Sequence, residues 1–222
     1  MILNKTKIQA ALLVLFLFCV LPSLVFAESL TSLSQVAKAL ESDRSSEREP
    51  LRRYVLPKYV KLIELQERVT GLNKEISWDP KLWKDGGLAP LLEKSQEAKK
   101  LHLEIAGIYN DFASDVPNRL RSAKVSDAEI QNWVHAALLG SSSMNVSDIS
   151  SLHKTHAAFY ESGISLVGLM QKYFDNWTLV EGGFEFTDTD LQKSFERLYA
   201  EFQAAGEERK RVIESFNARA GK

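Results

Sequence analysis

The chain has 222 residues, 28 Lys and Arg against 29 Asp and Glu, a formal charge of −1 and a single cysteine. So balanced a charge leaves no basic face of the kind nucleic acid demands. One cysteine excludes an internal disulfide and any thiolate metal cluster.

Residues 1–27, MILNKTKIQAALLVLFLFCVLPSLVFA, have the three parts of a cleaved secretory signal. Lys5 and Lys7 make a positive start without an acid, Ala10 to Leu21 form an apolar run, and Pro22 breaks it. Val25 and Ala27 occupy the −3 and −1 positions of a cleavage site, which predicts Glu28 as the exported N-terminus. The run is shorter than the ~20 residues a membrane-crossing helix requires. Cys19 leaves with it, and the preceding Leu-Phe-Leu-Phe lacks the small residues that precede a lipidated cysteine. What remains, residues 28–222, is expected to be a single helical domain, periplasmic or secreted, with no membrane span after cleavage.

Leu30, Leu33, Val36, Ala37 and Leu40 recur at helical spacing, and the polar stretch SDRSSEREP follows them. Pro50 suits the first turn of a second helix, whose apolar face (Leu51, Tyr54, Val55, Leu62, Ile63, Gln66 and Val69) continues to about Thr70. Pro57 should kink or split it. SWDPKLWKDGGLAP, residues 77–90, reads as a loop with a Gly pair and two prolines.

Helix resumes near Pro90 on the stripe Leu91, Leu92, Ala98, Leu101, Ile105, Ile108, Tyr109 and Phe112, and SDVPN ends it. Ser126 and Glu129 form a capping box for a short helix that Gly140 is placed to stop. Ser147 is placed to cap a long helix reaching about Asp175, with Phe159, Tyr160, Gly163, Met170 and Phe174 on its inner face. The last helix, Asp188 to Ala218, spaces Leu191, Phe195, Leu198, Phe202, Ala205, Val212 and Phe216 in an alternating four-three seam broken only at Arg209. Five or six helices with short connections imply an all-α antiparallel bundle. The seam also makes the last helix a candidate for homo-oligomer contact.

Between the last two helices lies NWTLVEGGFEFTDTD, residues 176–190. Trp177 and Leu179, then Phe184 and Phe186, alternate with smaller or polar residues around a Gly pair, which predicts a short hairpin. Two roles fit it: aromatics closing the end of the bundle, or a recognition tip with Trp177, Phe184 and Phe186 as binding anchors. The longer stretch LVGLMQKYFDNWTLVEGGFEFTDTDLQKSFERL resembles the end of an uncharacterised family of helical envelope lipoproteins from enteric bacteria. There too a long helix passes through a Gly-bearing extended turn into a final helix. The resemblance implies a helical fold and an envelope location, without an activity; this chain lacks the family's cysteine at the cleavage site.

His153 and His156 stand three apart on a predicted helix and are the candidates for a shared metal, but no third ligand follows on the same face. The expected arrangement is one histidine in solvent and one packed. His102 and His135 read as isolated. Asp188 and Asp190 lack the glycine and glutamate of a calcium loop, and no Gly-x-Ser-x-Gly elbow, phosphate loop or dinucleotide fingerprint occurs. No cofactor and no catalytic residue is expected. The pattern points to a non-catalytic exported bundle that binds another envelope protein as an adaptor, chaperone or inhibitor; a small-molecule or metal-binding bundle is the alternative.

Overall fold

The computed structural model describes residues 23–137, 145–181 and 183–220, with side chains at 33–134, 145–181 and 183–219. The charged start and apolar run of the expected signal lie outside the described residues, as do Gly140, the serines at 141–143 and Gly182.

The chain is an all-α helical protein. α1 (Ser23–Ser42) runs across the expected cleavage point, and the turn Ser46–Arg48 leads into α2 (Glu49–Tyr54), with Pro50 in its first turn. Pro57 splits the next rod as expected: it cannot donate to a carbonyl one turn back, and α3 (Leu56–Glu75) restarts after Val55. α4 (Leu88–Ala113) and α5 (Asp115–Ser122) follow. SDVPN ends α4 as expected, at Ala113, and a new helix starts within it: Pro117 falls in the first turn of α5, where its missing N–H has no partner to lose.

α6 (Asp127–Ala137) starts at the predicted cap, Ser126 Oγ accepting from the Glu129 N–H at 3.3 Å. α7 (Val146–Lys172) starts one residue before Ser147, so Ser147 is not its cap. Asn145 is: its Oδ1 accepts from the Asp148 N–H at 3.0 Å, while Asp148 Oδ2 accepts from the Asn145 N–H at 3.1 Å. α8 (Thr189–Ala220) begins after Asp188, whose carboxylate accepts from the N–H groups of Asp190 and Leu191 at 2.7 and 2.9 Å. β1 (Trp177–Val180) and β2 (Gly183–Phe186) form the one hairpin among the described residues. Among those residues no helix is long and apolar enough to cross a membrane.

The stretch 28–222, which the pattern presents as one helical domain, gathers into two compact units that share its long helices. The first takes residues 72–100 and 155–211 and contains the hairpin. Its core is aromatic. Trp78 from the loop after α3 lies against Phe159 of α7 and Phe202 of α8, with ring centroids 5.8 and 4.9 Å away. Gly163 makes that approach feasible, since a Cβ there would stand 2.2 Å from Trp78 Cη2. The same loop closes on its Gly pair: Gly86 has φ 83°, and a Cβ on Gly87 would meet the Leu82 carbonyl oxygen at 2.4 Å.

The second unit takes the described parts of 22–71, 101–154 and 212–222. Leu51, Tyr59, Leu62, Phe112, Ile149 and Phe216 are all buried there. The Tyr59 and Phe112 rings lie 5.5 Å apart, and the Tyr59 hydroxyl donates to the Trp133 carbonyl. At the rim Lys58 pairs with Asp111 at 2.5 Å and Arg219 with Asp148 at 2.9 Å.

Candidate functional site

The hairpin pairs Trp177 with Phe186, Thr178 with Glu185, Leu179 with Phe184 and Val180 with Gly183. Alternation along both strands therefore puts Trp177, Leu179, Phe184 and Phe186 on one face and Thr178, Val180 and Glu185 on the other. The aromatic face is the one turned to the core. Trp177 is 1% exposed, and its indole N–H donates to the Met170 carbonyl at 2.8 Å. Phe184 stacks on Trp83 and lies 5.0 Å from Phe195, which also meets Phe186 at 4.9 Å. Phe184 and Phe186 are half-buried by this packing.

The exposed apolar side chains of this end are different residues. Phe174, predicted on the inner face of α7, is 38% exposed because α7 stops at Lys172 and the turn Phe174–Asn176 carries it off the helical repeat. Its ring stands edge-on to Trp177 at 5.9 Å. The Lys84 ammonium lies 4.1 Å from the Phe174 ring and 3.9 Å from that of Trp177, and donates to the Phe174 carbonyl. Val180, on the outer face of β1, is 36% exposed. A tighter reading of where α7 ends was the signal that would have separated Phe174 from the core stripe.

The histidines divide in a way that spacing did not reveal. Both His153 and His156 are buried, so neither is the solvent histidine expected of the pair. They fall in different units and reach different partners. His153 Nδ1 lies 2.9 Å from Nδ1 of His102, a histidine 51 positions away that looked isolated. One ring must donate and the other accept, so the two rings take complementary roles at these nitrogens. The Tyr109 ring stacks on His153 with centroids 6.1 Å apart. Burial pushes the His153 pKa down to about 3, and burial raises that of the Tyr109 hydroxyl, with Gln66 pulling the other way.

In the hairpin unit, Arg209 Nε donates to His156 Nδ1 at 2.7 Å. Because arginine can only donate, the His156 proton sits on Nε2. Arg209, the apparent break in the α8 seam, is thus a seam residue: it is 5% exposed, and its guanidinium lies over the Phe159 ring at 4.8 Å. Among the described residues no three His, Cys, Asp or Glu side chains converge as metal ligands would. The side chain of His135 lies outside the described residues. No protein-family model, curated protein or solved structure matches the chain.

Proposed function

We propose that the chain is an exported, non-catalytic helical protein that binds another envelope protein through the hairpin end of its first unit. The observation that carries this reading is Phe174: a large aromatic held out to solvent and fixed in place, edge-on to Trp177 and beneath the Lys84 ammonium. An exposed side chain whose rotamer is already set loses little entropy when a partner covers it, and aromatics of this kind dominate interface energetics. Val180, exposed on the outer strand face, adds a second apolar contact. The anchors are therefore Phe174 and Val180 rather than Trp177, Phe184 and Phe186, whose rings serve the core.

The test is Phe174→Ser with Val180→Ser in the exported protein, followed by crosslinking in intact cells and mass spectrometry of the adducts. A partner crosslinked to wild type should be lost in the double variant while the melting temperature stays within a few degrees. Retention of the same adduct by a well-folded double variant would place the partner elsewhere on the molecule.

A further inference from the structure

We propose that the outer edge of β2 is a strand-addition site for an extended, basic segment of the partner protein. This deepens, and rests on, the partner-binding reading of the hairpin end.

The first support is hydrogen-bond register. The Thr187 N–H donates to the Asn176 carbonyl at 2.9 Å, continuing the pairing one step beyond Trp177 and Phe186. In an antiparallel ladder bonded and non-bonded pairs alternate, so Thr178 with Glu185 and Val180 with Gly183 are bonded inward. The backbone N–H and C=O groups of Trp177 and Leu179 on β1, and of Phe184 and Phe186 on β2, then point away from the partner strand. Trp177 is buried backbone and all, which closes the β1 edge at that residue. Phe184 and Phe186 are both only half-buried, and among the described residues no hydrogen bond occupies their outward groups. An edge of this kind accepts a further strand.

The second support is charge, and it selects the occupant. Residues 175–190 contain Asp175, Glu181, Glu185, Asp188 and Asp190 and not one Lys or Arg, in a chain whose overall charge is only −1. Asp188 is used by the start of α8, and Asp190 lies 3.4 Å from Lys193. Asp175, Glu181 and Glu185 are exposed. A strand laid beside β2 would set alternate side chains next to Glu185 on the solvent face and next to Phe184 and Phe186 on the other. A segment alternating basic and apolar residues complements both. Pairing of two β2 edges from two copies would instead bring acidic segments together, which disfavours a second copy as the occupant.

The probe is an acetylated octapeptide of alternating Lys and Val, with alternating Glu and Val as its control, titrated into the purified protein with amide shifts followed by NMR. The Lys-Val peptide should bind, shift the Phe184 and Phe186 amides, and weaken as salt rises; the Glu-Val peptide should not bind. Glu185→Lys, a change on an exposed strand position, should weaken the Lys-Val peptide about two- to fivefold, the range for one cross-strand charge pair. Equal binding of the two peptides, no binding, or self-association of the protein through the same amides would overturn the proposal. A partner that needs Phe174 and Val180 yet leaves the Phe184 and Phe186 amides unshifted would keep the partner-binding reading and refute strand addition.

Discussion

Gly163→Ala should destabilise the protein although it replaces glycine within a helix. At an open helical position this change gains about 1 kcal/mol, because alanine loses less backbone entropy on folding. Gly168, in the same helix, is such a position: an added Cβ would meet nothing within 4 Å. At Gly163 the new Cβ would stand 2.2 Å from Trp78 Cη2, 2.7 Å from Cζ3 and 3.1 Å from Phe202 Cε2. Carbon atoms pack at about 3.5–4.0 Å, so the indole must retreat by over ~1 Å. It has little room, being buried against Phe159 and Phe202. Overpacking of a core typically costs about 1–3 kcal/mol, and the size of this overlap puts it at the upper end. Against the helical gain, the net loss is about 2 kcal/mol, while Gly168→Ala gains about 1. Urea unfolding followed by circular dichroism should separate the two variants by about 3 kcal/mol. Equal stability would mean that Trp78 does not seat on α7. A double-mutant cycle with Trp78→Leu should recover most of the difference, since the clash is with that ring.

Trp177→Ala should lower stability by about 3–5 kcal/mol, as buried aromatics do, and Trp177→Phe by about 1 kcal/mol through loss of the bond to Met170; unchanged melting in both would refute burial of the hairpin's aromatic face. The fold keeps His153 neutral with a pKa near 3, against an ordinary value of 6.5. The unfolded chain therefore takes up a proton between those pH values that the fold refuses, and the stability from this site is whole above pH 6.5 and lost as pH falls toward 3. Wild type should lose about 2 kcal/mol more than His153→Gln between pH 7.5 and pH 5 in urea titrations, and parallel pH profiles would refute it. Gly86→Ala should cost about 1 kcal/mol by forcing a side chain into the left-handed region, measurable as a lower urea midpoint. Mass spectrometry of exported protein should find Glu28 at the N-terminus, and retention of the first 27 residues would instead anchor the chain.

Local chemistry was legible from the sequence because its causes lie within a few residues. Apolar spacing marked the long helices, Pro57 marked the split between α2 and α3, and Ser126 and Asp188 marked two helix starts. The hairpin followed from alternation about a Gly pair, and its register put the four predicted apolar side chains on one face. Which face the molecule buries could not follow, since alternation is symmetric until something packs against one side. Trp83, Phe195 and Met170 decide it, one from the loop before α4 and two from the helices that flank the hairpin. The same limit hid the meeting of His102 with His153 and the burial of Arg209 beside His156. Spacing along a helix tells which side a residue is on, but the partner it meets is set by a second helix, whose position depends on the packing of the whole unit. Tertiary packing alone decided that Trp177 belongs to the core, whereas Phe174 is exposed because it lies beyond the last turn of α7.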